Sequence, residues 1–217
     1  MLSNRWKSLA AAVALCALMA VSAGVAIAQD DAGPAALARG AGAPQRETSM
    51  LGVDGRSFSI AKSAGPKGTL VLFICNHCPW VKAWQGRIAA IGNDALKRGV
   101  GVIAINSNDP DALPEDAYAP MQQRAKDVGY RFPYVVDATS DVARAFGATH
   151  TPEAFLFDAH GRLVYHGAVD DDARDIAAVK SHWLADAVTA VATGRPVPAA
   201  ETKALGCGIK LRAKRSS

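Results

Sequence analysis

Two cysteines separated by two residues are the best candidates for chemistry in this sequence. They lie in the segment Cys75-Asn76-His77-Cys78-Pro79, between an apolar run typical of a buried strand and a segment with helical spacing. Two intervening residues across a helix N-terminus bring both sulfurs within disulfide reach, and the free N–H groups and the dipole of the helix stabilise a thiolate. The pattern predicts a redox-active dithiol, in which His77 lowers the pKa of the thiolate further.

Other uses of such a cysteine pair are less well supported. A c-type haem needs a histidine where Pro79 stands, and a structural zinc site needs a second cysteine pair or paired histidines. An inert buried pair is the remaining alternative. We expect no cofactor. Because the first cysteine of such a pair normally caps the helix and the second lies about one turn further in, we expect Cys75 to be the exposed nucleophile and Cys78 the resolving thiol.

Residues 1–28 have the pattern of a signal peptide. Arg5 and Lys7 precede an apolar stretch that ends on Ala26-Ile27-Ala28, which is a basic region, an apolar region and an A-x-A cleavage site. We therefore predict an exported, periplasmic protein with no stable membrane insertion after removal of the leader. The alternative is an uncleaved inner-membrane anchor with the domain facing the periplasm.

The basic residues of the chain are concentrated at its ends. The formal net charge is +4, yet the leader and the last fifteen residues contain seven of the positive charges and no acidic residue, so the body between them is net acidic. No basic stripe interleaved with aromatic residues is found in the sequence. We therefore expect no nucleic-acid binding.

After the leader, the chain divides into three further parts. Residues 29–46 are rich in Ala, Gly and Pro and are predicted to be a flexible spacer. Residues 47–200 are predicted to form one domain. Residues 201–217 form a basic C-terminal tail that contains Cys207. An odd cysteine in an exported protein indicates a relay partner, an intermolecular link or a free reactive thiol.

The domain shows strand and helix patterns in an alternating order. Asp54-Gly55 predicts a hairpin turn near the start. A strand, a helix and a strand then imply parallel neighbours, and a later antiparallel hairpin precedes an amphipathic helix. The predicted segments are 50–60 (hairpin), 69–74, 101–106 and 132–137 (strands), 80–98, 116–128, 140–146 and 175–193 (helices), and 154–158 with 163–166 (second hairpin). These patterns predict an α/β, thioredoxin-like three-layer fold with a central mixed sheet and an N-terminal hairpin extension.

Four segments in this order resemble a known family. FICNHCPWVKAW, INSND, FPYVVDATSDVARAFGATHTPEAFLFD and GCGIK are similar to the peroxiredoxin-like branch of the redoxin (AhpC/TSA) group of the thioredoxin superfamily, over roughly residues 49–210. The resemblance implies a cis peptide bond before Pro152, which would shape a docking groove beside the dithiol together with Thr151 and Trp80. It also includes Cys207, for which we expect the role of a third redox thiol on a flexible tail.

The chain departs from this family at two places. In peroxidases of this family, a proline and a threonine precede the peroxidatic cysteine at fixed spacing. At those two positions before Cys78 stand Val71 and Cys75, and the two positions before Cys75 do not hold the required residues either. His150 stands where relatives often have cysteine. If His150 faces the dithiol, then Cys75, Cys78 and His150 form a set that suits copper or zinc, although a histidine that tunes the thiol pKa is the simpler interpretation.

The sequence therefore favours an exported thiol-disulfide oxidoreductase. Its partners would be protein thiol or disulfide clients and a redox partner protein. One alternative is a peroxiredoxin-like thiol peroxidase that acts on small hydroperoxides, with Cys78 as the peroxidatic cysteine. The other is a copper or zinc carrier that uses Cys75, Cys78 and His150.

Overall fold

Seven strands form the central sheet of residues 37–213, the part of the 217-residue chain that the computed structural model describes. Their order is β2-β1-β5-β4, with β3 lying next to β4, followed by β7 and β8. The sheet strands are β1 (Met50–Gly52), β2 (Ser57–Phe58), β3 (Gly68–Phe73), β4 (Val100–Asn106), β5 (Tyr134–Val136), β7 (Glu153–Asp158) and β8 (Leu163–Gly167). Two further short strands, β6 (His150–Thr151) and β9 (Cys207–Gly208), pair with each other.

The sheet is mixed because it contains both parallel and antiparallel strand pairs. β4 and β5 are parallel, as expected for strands joined through a helix. β1 pairs antiparallel with both β2 and β5, and β7 pairs antiparallel with both β3 and β8. The two predicted hairpins and the mixed sheet are thereby confirmed.

Helices cover both faces of the sheet. They are α1 (Pro79–Lys97), α2 (Tyr118–Val128), α3 (Asp141–Phe146) and α4 (Trp183–Ala192). Leu70 and Leu72 of β3 join a core with α1, α2 and α4, whereas Val71 and Phe73 join a core with α3. Side chains alternate across a strand, so a run that is apolar throughout is buried on both faces. This is the predicted three-layer, thioredoxin-like fold.

The last helix is shorter than its apolar spacing predicts. The sequence indicates a helix over 175–193, but α4 begins at Trp183, and only a 3₁₀ turn at Ile176–Ala178 precedes it. The Asp175 side chain accepts a hydrogen bond from the N–H of Ala177, and Asp171 accepts one from the N–H of Lys180. Such local bonds compete with helical bonds, and Ile176 is left 69% exposed.

Both ends of the described chain lie against the domain. The N–H of Leu37 donates to the carbonyl of Phe146 and that of Gly40 to the carbonyl of Leu163. Residues 37–46 therefore differ from the flexible spacer that was expected over 29–46. Within residues 37–213, no helix is long and apolar enough to cross a membrane. The predicted leader, residues 1–28, lies outside the described residues.

Candidate active site

The two cysteines lie where β3 turns into α1. Cys75 follows the end of β3, and Cys78 is the N-cap residue of α1, with Pro79 in the first helical position. Proline suits this position because it has no N–H to leave unsatisfied and its φ is already helical. The carbonyl of Cys78 accepts the first helical hydrogen bond, from the N–H of Lys82 at 3.0 Å. The helix therefore begins one residue after the second cysteine.

This geometry corrects the expected assignment of the two sulfurs. Cys75 was expected at the N-cap and Cys78 one turn inside the helix, but Cys78 itself is the N-cap residue. Neither thiol is exposed: the relative exposure of Cys75 is 1% and that of Cys78 is 0%. The N–H of Val81 in α1 acts on the sulfur of Cys78, whereas the N–H of the N-cap residue Cys78 acts on the sulfur of Cys75.

A loop ending in a cis proline lies against both sulfurs. The Thr151–Pro152 peptide bond is cis, as the family resemblance implies. The hydroxyl of Thr151 lies 3.0 Å from the Sγ of Cys75, and its carbonyl oxygen lies 3.2 Å from the Sγ of Cys78. Thr151 thus contacts both members of the pair.

The third cysteine reaches the same place from the C-terminal end of the chain. β9 pairs antiparallel with β6, and Cys207 lies opposite Thr151 in that pairing. The Sγ of Cys207 is 2.7 Å from the Sγ of Cys78. Cys207 is half-buried and is the least buried of these three cysteines.

The three thiols have different acidities. The hydrogen bond with Cys75, and that with Cys207, lower the pKa of Cys78 from 9.0 to about 4. The pKa of Cys75 is raised by the same bond, by burial and by the charge of Asp116. Burial and the bond to Cys78 raise the pKa of Cys207 to about 11. At neutral pH the reduced site therefore holds one thiolate, on Cys78, between two thiols.

A buried carboxylate organises the loop between the two cysteines. Asp116 is 3% exposed. It accepts hydrogen bonds from the N–H of Asn76 at 2.5 Å and from the Nδ2 of Asn108 at 2.9 Å, and it lies 2.6 Å from the Nδ1 of His77. Asn106 also donates to it, at 3.2 Å. Because Asp116 bonds both to Asn76 in the loop and to Asn106 at the end of β4, it ties the cysteine loop to this end of the strand.

Comparison with known proteins agrees with this fold. The model of the Redoxin family matches residues 38–181, most of the domain. The chain belongs to the Redoxin family. An uncharacterized conserved protein from Geobacillus kaustophilus has a TM-score of 0.75 and 35% sequence identity, and the match covers 82% of this chain and 94% of that one. A hypothetical protein from Sinorhizobium meliloti 1021 has a TM-score of 0.74 and 37% identity, with 82% and 97% covered.

One redoxin relative has a named activity. The thiol-disulfide oxidoreductase ResA of Halalkalibacterium halodurans is 26% identical over 112 residues, which is 52% of this chain. The match spans 59% of the length of that protein. The family resemblance read from the sequence is confirmed at the level of the redoxin group.

The remaining predicted site residues of this redoxin lie at different distances from the sulfurs. His77 is held by Asp116, as described above. Trp80 is in the first turn of α1, with its ring 5.8 Å from that of Trp84, and its backbone N–H lies against the sulfur of Cys207. The Nδ1 of His150 lies 2.8 Å from the hydroxyl of Thr149, and His150 is outside the group of donors that includes Cys75.

The expected metal set is therefore not assembled. Among residues 37–213, one group of cysteine, histidine and carboxylate donors has its ligand atoms within 4.8 Å of one another. It consists of Cys75, His77 and Asp116. His150 does not belong to it, because its side chain turns to Thr149. Both oxygens of Asp116 already accept hydrogen bonds from protein groups. The copper or zinc set of Cys75, Cys78 and His150, which the sequence offered as an alternative, is thus not favoured by this geometry.

Two buried acids of the site could not be identified from the sequence. Nothing in the sequence around Asp116 marks it as a site residue. Polar residues that follow two neighbouring strands indicate only that those residues share one edge of the sheet. Glu153 is 2% exposed and accepts from the N–H groups of Thr149 and His150, and its other oxygen lies 2.7 Å from the Nε2 of His166. Glu153 therefore fixes the loop that precedes the cis proline.

Proposed function

We propose that this redoxin is an exported thiol-disulfide oxidoreductase whose Cys75–Cys78 dithiol exchanges electrons with protein thiols and disulfides. The observation that carries the proposal is the thiolate of Cys78 at the N-terminus of α1, in contact with a second thiol and beside a cis proline. The named activity of the ResA relative supports it. The predicted leader supports the export of the domain.

The geometry favours Cys78 as the exchanging sulfur and Cys75 as its buried partner. In the simplest exchange, with Cys207 displaced from its sulfur, the Cys78 thiolate attacks one sulfur of an incoming disulfide, and the other sulfur of that disulfide leaves and takes a proton. Cys75 then attacks the Sγ of Cys78, the mixed disulfide breaks, and the second substrate sulfur leaves as a thiol. Two electrons pass from the dithiol to the substrate, and the dithiol becomes the Cys75–Cys78 disulfide.

Cys75 must lose its proton in the second step. Its Sγ, the Nδ1 of His77 and a carboxylate oxygen of Asp116 all lie within 4.8 Å of one another. The buried carboxylate opposes a negative charge on Cys75, so it keeps Cys75 protonated until the mixed disulfide forms. The His77–Asp116 pair lies within 4.8 Å of that sulfur, and the proton reaches it through one water when Cys75 attacks.

A thiol peroxidase is the second candidate, and one observation favours it. Cys78 is an acidic thiol with two thiols in contact, one of which could resolve a sulfenic acid. Against this, Val71 and Cys75 stand where a peroxidase has its proline and threonine. A carrier of copper or zinc has no comparable support, since His150 lies away from the sulfurs.

Comparison of Cys75→Ser with Cys78→Ser tests the proposal. We expect Cys78→Ser to abolish reduction of a protein disulfide, and Cys75→Ser in a Cys207→Ser background to lower its turnover by about two orders of magnitude, because no second thiol then completes the two-electron couple. The readouts are disulfide reduction and hydroperoxide consumption, with circular dichroism as the control for folding. If Cys75→Ser consumes hydroperoxide at the parental rate while Cys78→Ser does not, the protein is a peroxidase with Cys78 as its peroxidatic residue.

A further inference from the structure

The dithiol of this domain is closed off from solvent by the C-terminal segment. Cys75 and Cys78 are both buried, and the residue that lies over the Cys78 sulfur is Cys207. A disulfide bond is about 2.05 Å long, so the 2.7 Å between these two sulfurs leaves a movement of less than an ångström for a bond to form. An external sulfur cannot reach Cys78 in this conformation without meeting Cys207 first.

Anchors on both sides fix the position of Cys207. Before it, the N–H of Thr202 donates to the carbonyl of His166 at 2.9 Å. After it, the N–H of Ile209 donates to the carbonyl of Thr149 at 2.9 Å, and that of Lys210 to the Oδ1 of Asn108 at 2.7 Å. The expected flexible tail is therefore an ordered part of the site as far as residue 213. Cys207 is held in place rather than brought in by a swinging segment.

We propose that Cys207 is the solvent-facing sulfur of a three-cysteine relay, in which external thiols and disulfides exchange with Cys207, and Cys78 transfers the electron pair between Cys207 and Cys75. This rests on the proposed oxidoreductase function and adds the route by which electrons enter and leave. The external substrates are dithiols or disulfides that can approach the surface at β9.

The relay balances when the oxidised site is reduced by an external dithiol. First, the Cys207 thiolate attacks the Sγ of Cys78, the Cys75–Cys78 bond breaks, and Cys75 takes the proton that Cys207 released. Second, an external thiolate attacks the Sγ of Cys207, and Cys78 leaves as a thiolate. Third, the other external thiolate attacks the external sulfur of this mixed disulfide, and Cys207 leaves and is protonated. The external dithiol is oxidised to a disulfide, and the reverse steps reduce a client.

The acidity of the sulfurs directs the second step to Cys207. Attack on Cys207 expels Cys78, whose pKa the hydrogen bond with Cys75 holds below its ordinary value, whereas attack on Cys78 would expel Cys207, whose pKa burial raises. The thiol of lower pKa is the faster leaving group. Exposure favours the same sulfur, because Cys78 is fully buried and Cys207 is not.

Disulfide mapping and Cys207→Ser test the relay. Cys75→Ser, oxidised by oxidised glutathione and digested after acid quenching and alkylation, should give a peptide that links Cys78 to Cys207. Cys207→Ser should still form the Cys75–Cys78 disulfide with this small oxidant, but it should exchange with a protein disulfide about tenfold more slowly or worse, because that substrate must then reach a buried sulfur. Parental exchange in Cys207→Ser, or no such link in Cys75→Ser, overturns the relay while the proposed function stands.

A pair of glycines provides a test that leaves all three sulfurs in place. A Cβ on Gly206 would lie 2.2 Å from the carbonyl oxygen of Thr151, whereas a Cβ on Gly208 would meet only the carbonyl oxygen of Thr149, at 4.0 Å. Gly206→Ala should therefore push Cys207 away from Cys78 and reduce the yield of the linked peptide, and Gly208→Ala should not. Equal yields of the linked peptide in both variants would show that the contact between Cys207 and Cys78 does not determine which disulfide forms, and would contradict the relay.

Discussion

Cys78 owes its acidity to its position between two other thiols. A thiolate is stabilised by every donor that points at it, and here the donors are Cys75, Cys207 and the N–H of Val81 in α1. Burial acts in the opposite direction but is outweighed. The acidity is therefore a property of the cluster, which explains why reasoning from the cysteine pair alone assigned the thiolate to Cys75.

The pH dependence of the reduced protein follows from this acidity. The pKa of Cys78 is lower in the folded chain than its ordinary value of 9.0. The thiolate thus contributes stability that is fully present above pH 9 and is lost as the pH falls through about 4. Cys75 is a thiol in both the folded and the unfolded chain until the pH approaches its ordinary pKa of 9.0, so it opposes the trend only at the top of this window.

Titration of the thiolate absorbance of the reduced protein measures the effect. We expect one step near pH 4 that is absent in Cys78→Ser, and a free energy of unfolding in urea that rises between pH 4 and 9 in the parent only. Cys207→Ala is the matched control and should keep the step, shifted upward because the donor at this position is lost. A first step near pH 9 in the parent would contradict the assignment.

At the scale of elements, α1 carries the site and also much of the core. Val81, Trp84 and Ile88 lie on its buried face. Two glycines interrupt the helix, and they differ in their surroundings. A Cβ on Gly86 would meet nothing within 4 Å, whereas one on Gly92 would lie 2.4 Å from the Cε1 of Phe132.

These surroundings predict opposite effects on stability. Gly86→Ala should stabilise the protein by about 0.5–1 kcal/mol, because alanine is the better helix former. Gly92→Ala should destabilise it, since the ring of Phe132 is buried against Tyr130 and has no room to move aside. Urea denaturation of both variants measures the two changes. A stabilised Gly92→Ala would show that the loop of Phe132 is free to shift.

The elements near the site were predictable to the extent that they depend on local patterns. β3, α1 and the hairpin of β7 and β8 follow from apolar spacing and turn residues within short windows. The partners of Cys78 and His77 do not, because Cys207 is 129 residues from Cys78 and Asp116 is 39 residues from His77. Only the packing of the sheet edge brings such residues together. The start of α4 was missed because aspartates bonded to nearby N–H groups outweighed the apolar spacing.

At the scale of the whole molecule, export requires that the leader be removed. We expect the mature protein from its native host to begin at or near Gln29, after the A-x-A sequence, and to be found outside the inner membrane. Intact-mass analysis of the periplasmic fraction is the measurement, and substitution of Ala28 by a bulky residue should slow processing. Full-length protein that sediments with the inner membrane would identify the leader as an anchor.

The pairing of β6 with β9 also sets an order of events during biosynthesis. The chain emerges from its N-terminus, so Cys75 and Cys78 are made and can fold with β3 and α1 long before Cys207 exists. Until then the edge of β6 at Thr151, which β9 later occupies, is uncovered, and the acidic sulfur lacks its cover. We therefore expect a chain that lacks β9 to react directly through its dithiol with an external disulfide, and addition of β9 to end that reactivity.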